Sequence, residues 1–339
     1  MAAAAILVLA LILVGVAGAG QAASGELKAA DFPTAVRLLR QPTTTSRQST
    51  SGPPTAAAPA PLEATHPTPE GTLSTTRQAQ STPTPGRTQF VYGHSIEGRL
   101  LVVERYGAPS SKAPAGLVIV GALHGNEANT AHFVQDLTAA ANQGLMDVPE
   151  SVSLYLIANA NPDGLAHARR NNATGVDLNR NWQTFDWQQD TWSSSGFLPG
   201  AGGDAAFSEP ETRALRDWIL ATRAEHASSL QVIFVHAAFP IAGLILPGHH
   251  WVAGQVLADR SARQLGQQLA GATGFQYANQ WPGSYPVTGD ATTWAVAHGI
   301  PAITVELPTH EMMSAPDMAI MIHGIELLLQ TISEQTTTD

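Results

Sequence analysis

Apolar side chains fall along this chain in three regimes. Residues 2–19 form an apolar run without a charge, residues 41–88 carry almost no large apolar side chain, and from Gln89 onward short apolar runs alternate with amphipathic stretches. In the last regime Phe90-Val91-Tyr92 and Leu100-Leu101-Val102-Val103 predict a β-hairpin, with His94 to Gly98 as its turn. The continuous run Gly116-Leu117-Val118-Ile119-Val120-Gly121 is that of a strand covered on both faces. Similar runs predict strands at 152–158, 231–235 and 303–305, the first of them followed by a turn at Asn161-Pro162-Asp163-Gly164. Leu215, Trp218, Ile219 and Leu220 share one side of a helix over 211–223, and helices are also expected over 128–141, 252–269 and 318–332. Buried strands alternating with helices predict an α/β fold: a three-layer α/β/α sandwich around a mixed, largely parallel twisted sheet.

The two N-terminal regimes are not part of that fold. Residues 2–19 just suffice to cross a bilayer and end in the small residues Ala17-Gly18-Ala19, but no Lys or Arg precedes them. A cleaved signal peptide and an uncleaved N-terminal anchor over 1–23 both fit, and both place the remainder outside the cytoplasm. Residues 24–88 read as a Pro/Thr/Ser-rich disordered spacer, with a short apolar cluster at Ala35, Val36, Leu38 and Leu39. Fully extended, its low-complexity part would reach on the order of 100–150 Å at about 3.1 Å per residue. The globular domain is expected over 89–335.

Charge separates the same regions. The net charge is −10, yet residues 24–87 carry six Lys/Arg against four Asp/Glu, while residues 88–339 carry 11 against 23. An acidic main domain argues against nucleic acid as a partner. The chain has no cysteine, which excludes disulfides, thiolate metal ligands and a Cys nucleophile. Any metal must be held by His, Asp or Glu, a donor set suited to catalytic zinc.

Chemistry-bearing residues collect where such a sheet presents its ligands, beyond the carboxyl ends of the strands. His124, Asn161, His236 and Glu306 each follow or end a predicted strand. His124 and Glu127 lie on a strand-to-helix turn and could face one point, although Glu127 would also serve as a favourable first-turn charge. Glu306 within Ile303-Thr304-Val305-Glu306 is a carboxylate on an apolar strand, which needs a partner or a task. No Gly-x-Ser-x-Gly elbow occurs, and His310-Glu311 is followed by Met-Met-Ser rather than completing a His-Glu-x-x-His helix motif. His249-His250, after Pro247-Gly248, reads as an exposed loop pair.

Taken in order, His124-Gly125-Asn126-Glu127, Asn161-Pro162-Asp163-Gly164, Arg170 through Trp182, Val235-His236 and Tyr285 through Glu306, together with Ser208-Glu209-Pro210-Glu211-Thr212, resemble the zinc metallocarboxypeptidase family. The resemblance covers about 90–330 and is closest to the bacterial cell-wall, murein peptide amidase branch. It implies one zinc ion per chain, held by His124, Glu127 and His236, with Glu306 as general base toward the attacking water. It further implies that Arg170 stabilises the oxyanion, that Asn179 and Arg180 hold a terminal carboxylate, that Tyr285 closes over the substrate, and that Asp177 orients His124. Tyr285 stands nine residues before Trp294, as the family pattern requires.

Three positions depart from the digestive members or bear on selectivity. Asn126 stands where some of those members have an arginine, and Thr292, in the region that sets side-chain preference, offers no charge. Asp290 could meet an amino group such as that of diaminopimelate. The expected activity is hydrolysis of a peptide bond next to a free carboxylate in the cell envelope, with a peptide or muropeptide as the partner. A general carboxypeptidase, a wall-binding module without catalysis and a deacylase are the rivals.

Overall fold

The computed structural model describes residues 87–109, 113–226, 229–240 and 242–336. The expected signal peptide or anchor over 1–23 and all but the last residues of the expected spacer over 24–88 lie outside the described residues. The expected hairpin is present as β1 (Thr88–His94) and β2 (Leu100–Gly107), paired antiparallel. There follow β3 (Ala115–Val120), α1 (Ala128–Gln143), β4 (Val152–Ile157) and the short α2 (Pro162–Ala166). A small hairpin of β5 (Thr191–Ser193) and β6 (Gly196–Leu198) precedes α3 (Pro210–Glu225) and β7 (Ser229–Ala237). Next come β8 (Leu244–Pro247), a second hairpin of β9 (His249–Val252) and β10 (Gln255–Ala258), and α4 (Arg260–Thr273). The chain continues through β11 (Gln276–Tyr277), α5 (Ala291–Ala297), β12 (Ala302–Leu307) and α6 (Ala315–Thr336).

Eight strands form one sheet in the order β1-β2-β4-β3-β7-β12-β8-β11. The central pairs β4·β3, β3·β7 and β7·β12 are parallel, whereas β1·β2, β2·β4 and β12·β8 are antiparallel. Every residue of β3 and β4 is buried, so both faces of the sheet are covered. α4 packs on α6 and α6 on α1, while α3 packs on β1 and β7 and α5 on β7 and β12. Burying each Leu, Ile or Val of the central strands contributes about 1.5–3 kcal/mol.

The largest local correction concerns the helix expected over 252–269. The segment 249–258 is instead the β9–β10 hairpin, and the helix begins at Arg260. Ala253 and Gly254 turn the hairpin at φ 50° and 84°, and Asp259 caps the helix by accepting from Ala262 N at 2.8 Å. His249 and His250 accordingly lie half-buried on β9 rather than in an exposed loop. Asn161-Pro162-Asp163-Gly164 is the start of α2, with Asn161 as its N-cap and Pro162 in its first turn. Among the described residues no helix is long and apolar enough to cross a membrane.

Candidate active site

The site is built on the carboxyl ends of the central strands. β3 runs into His124, and β7 and β12 carry His236 and Glu306 as register partners, so two of the predicted groups lie side by side on neighbouring parallel strands. The His124-to-Glu127 turn crosses directly over α2. A Cβ at Gly125 would lie 1.9 Å from the Gly164 carbonyl carbon, so only glycine permits that approach. Asn161, fully buried, donates through Nδ2 to Leu123 O at 3.1 Å and to Arg170 O at 3.3 Å, and joins the two segments.

Three buried side chains converge at this point. His124 Nδ1 lies 2.7 Å from Glu127 Oε1 and 3.1 Å from His236 Nδ1, which is 3.3 Å from Glu127 Oε2. Tetrahedral zinc with ligand bonds of about 2.0–2.1 Å puts ligand atoms about 3.3 Å apart, close to these separations. Two imidazole nitrogens this near cannot both point a proton at each other, so at least one presents a lone pair. These three residues form the metal-ligand cluster found among the described residues, and the donor set is that of a zinc site. Burial alone would raise the Glu127 carboxyl; the neighbouring histidines outweigh it and hold the group far below the usual carboxylate range. Glu127 also accepts from Ala237 N at 3.0 Å.

Asp177 stands directly behind His124, fully buried. Its Oδ1 accepts from His124 Nε2 at 3.0 Å and from Asn179 N at 2.9 Å, and its Oδ2 from Arg170 Nε at 2.9 Å. With Nε2 engaged by the carboxylate, His124 turns Nδ1 to the cluster. Burial opposes ionisation of Asp177, yet Arg170 and His124 keep its carboxyl well below the ordinary range. Arg170 also approaches Glu127 Oε1 at 3.5 Å.

Across the cleft the charges are left open. Arg180 is 2% exposed and spends two nitrogens on backbone carbonyls, Nη1 on Asn179 O at 2.8 Å and Nη2 on Trp192 O at 3.4 Å. Its Nε has no partner, and among the described residues no carboxylate pairs with it. Trp182, in contact with Trp294 at 4.9 Å and Phe207 at 5.4 Å, anchors this stretch in the core. Glu306 is pushed up to about 7 by burial and by the Glu127 charge. Tyr285 packs against Trp281 with tilted rings 5.5 Å apart, and burial raises its phenol.

A cleft of about 780 Å³ collects nearly all the predicted residues: His124, Glu127, Arg170, Asn179, Arg180, His236, Tyr285, Asp290, Thr292 and Glu306 line it. Asp177 does not; it is buried behind the ligands. Asn179 lies 3.2 Å from His236 through Nδ2 and accepts from Ala291 N at 3.0 Å. Thr292 pairs with Thr304 at 2.7 Å, and Asp290 caps α5 by accepting from Thr293 N at 2.9 Å. Sequence reasoning missed Asp186, which lines the wall near Asp290 and whose carboxyl is raised by burial and then by the Asp290 charge. It also missed the cleft-lining Phe185, His249 and His310. None of these has a spacing signal that could have identified it.

Comparisons with known proteins agree with this geometry. The model of the family described as zinc carboxypeptidase matches residues 76–327. A zinc carboxypeptidase of Simulium vittatum is 25% identical over 232 residues, covering 60% of this chain and 72% of its own. Murein peptide amidase A of Escherichia coli (strain K12) is 28% identical over 224 residues, covering 64% of this chain and 80% of its own. The crystal structure of carboxypeptidase A from Helicoverpa armigera is similar with a TM-score of 0.55 at 22% identity, over 74% of this chain and 68% of that one, and so shares the fold. Similar identities to carboxypeptidases and to an amidase do not assign the chain to one branch.

Proposed function

The chain belongs to the zinc carboxypeptidase family, and on that premise we propose that it hydrolyses the peptide or amide bond next to a free carboxylate in cell-wall (murein) peptides. The observation that carries this reading is Arg180, a buried guanidinium without a carboxylate partner in the cleft that also holds His124, Glu127, His236 and Glu306. A permanent charge out of water with no directly bonded counter-ion, and only the more distant charges of Asp177 and Glu306 to offset it, carries a desolvation cost that is incompletely compensated. A substrate's terminal carboxylate would relieve that cost through the planar fork, with Asn179 beside it.

Each remaining group then has one task. Zinc, when bound, polarises the scissile carbonyl and makes water more acidic. Glu306 takes the proton of the attacking water and passes it to the leaving amine. Arg170, held by Asp177, presents its outer nitrogens to the carbonyl oxygen as that atom gains charge. Asp177 keeps His124 in the tautomer that turns Nδ1 to the ligand cluster. Tyr285, at the rim and protonated, closes over the bound terminus as a hydrogen-bond donor.

The murein assignment is supported by the similarity to murein peptide amidase A and by the acidic wall of the cleft, where Asp290 and Asp186 would meet the side-chain ammonium of diaminopimelate. The apolar leader supports a site of action outside the cytoplasm. The test is to incubate zinc-loaded protein with a murein tripeptide ending in diaminopimelate, with blocked dipeptides, and with their C-terminal amides, and to map cleavage by mass spectrometry. Cleavage of the tripeptide is expected, with the amides resistant. Cleavage of blocked dipeptides alone moves the function to a general carboxypeptidase, and equal cleavage of the amides removes the role of Arg180. An Asp290→Ala variant is expected to lower the ratio of diaminopimelate to neutral substrate turnover by about tenfold, the scale of one lost charge-assisted hydrogen bond; an unchanged ratio ends that part.

A further inference from the structure

Behind the cleft, one side chain closes the segment that joins two of the active-site groups. Arg170 and Asp177 are the ends of the stretch Arg170-Asn171-Asn172-Ala173-Thr174-Gly175-Val176-Asp177, and they meet again at 2.9 Å. Asn172, 3% exposed, accepts through Oδ1 from Thr174 N at 3.2 Å and from Val176 N at 3.0 Å. Its Nδ2 donates outward to Glu209 Oε2 at 2.7 Å and lies 3.3 Å from Glu211 Oε2. The main chain is tied at the same residue, Asn172 N to Val176 O at 2.9 Å and Gly175 N to Asn172 O at 3.1 Å. Glu209 is held in turn by Ser208 Oγ at 2.7 Å and Thr174 Oγ1 at 2.5 Å, and Glu211 accepts from Ile96 N at 3.1 Å.

We propose that Asn172, fastened to Glu209 and Glu211 at the start of α3, is a positioning residue for the reaction: it fixes Arg170 against Asp177 and, through Asp177, the ring of His124. The side chain is singular in what it offers. An amide supplies acceptor and donor together, so it closes the loop on one side and reaches two buried carboxylates on the other. An aspartate there would place a third carboxylate against them, and an alanine would leave the buried Val176 N–H without its side-chain acceptor. The main chain of both ends is held elsewhere, Arg170 O by Gly125 N at 3.2 Å and by Asn161, and Asp177 N by Ala201 O at 2.8 Å, so this tie sets the path of the loop between them and with it the approach of the Arg170 side chain to Asp177. Misplacement of a catalytic group by about 1 Å can cost on the order of 100-fold in rate.

The inference rests on the reading that Arg170 serves the transition state, and the experiment separates the two. Asn172→Ala, Arg170→Ala and the double variant are compared on a blocked dipeptide with a free carboxylate, together with zinc affinity by chelator competition. Asn172→Ala is expected to lower kcat by about 10- to 100-fold with KM nearly unchanged, and to weaken zinc about tenfold through the loosened Asp177. At saturating zinc, where the His124 route no longer limits the rate, the double variant should be no slower than Arg170→Ala beyond about twofold, because the remaining loss in kcat is carried by Arg170. Losses that multiply in the double variant, or full kcat in Asn172→Ala, overturn the proposal; full kcat in Arg170→Ala overturns the role of Arg170 itself. If Asn172→Ala does not fold, Glu209→Ala and Glu209→Gln carry the same test. Glutamine keeps an acceptor for Asn172 and restores kcat, and equal rates in the two Glu209 variants overturn the proposal.

Discussion

The two arginines of the cleft stand in opposite electrostatic conditions. Arg170 is bonded to Asp177 at 2.9 Å and lies 3.5 Å from Glu127, in a network where each carboxylate oxygen of Asp177 already has a donor. Arg180 is more deeply buried yet meets only carbonyl oxygens. The two glutamates differ in the same sense: Glu127, between two histidines, is held ionised, whereas Glu306 is pushed up to about 7. Satisfied charges hold geometry, because every lone pair has a fixed partner. On the proposed reading, the unsatisfied ones are where substrate and water would complete the site.

This contrast can be broken experimentally, beginning with its strongest consequence. Glu306→Gln removes the base without touching the ligands, so kcat should fall by about 1,000-fold, within the usual range for a general base, while zinc content by elemental analysis stays at that of the parent. Retained activity in the glutamine variant would assign the base elsewhere. Next, Arg180→Met should raise KM for free-carboxylate substrates by about 100-fold, the scale of a charge-assisted pair, in steady-state assays. The same arginines should differ in stability. Arg170→Met strands Asp177 and should cost about 2 kcal/mol in urea unfolding, whereas Arg180→Met removes an unpaired buried charge and should cost no more than about 1 kcal/mol. Equal losses would erase the distinction.

The smallest effect concerns pH in the metal-free protein. The Glu306 carboxyl titrates near 4.5 when unfolded and at about 7 when folded. Below 4.5 it is protonated in both states; between 4.5 and 7 the unfolded chain releases the proton first, so folded stability falls as pH rises and levels off above 7. The fall should amount to about 2 kcal/mol, allowing for partial exposure, and Glu306→Gln should lack it. Parallel melting curves of the two metal-free proteins from pH 4 to pH 8 would contradict the assignment.

Much of this arrangement is legible without coordinates. Continuous apolar runs mark β3, β4, β7 and β12, because a central parallel strand buried on both faces has no polar side to show. The β8–β11 edge and the separate β9–β10 hairpin are not legible in that way. β8 and β11 are short, and β9–β10 was concealed within a helical pattern because Trp251, Val252, Val256 and Leu257 mimic an apolar stripe. The deciding signals were the turn at Ala253-Gly254 and the cap at Asp259. Asp186 escaped notice because its place in the cleft depends on the approach of Gly289, which donates to it at 3.3 Å from 103 positions away.

By itself the sequence determines which groups are present and at which strand ends they emerge: apolar periodicity is local, and each of His124, His236 and Glu306 is adjacent to the run that places it. Tertiary structure alone decides how charge is shared among them. Whether a guanidinium is paired or left open, and whether a carboxyl is held low or pushed up, depends on distances between segments remote in the chain and on the water excluded around them. Coulomb energy and desolvation are set by those separations, and no spacing in one dimension records them.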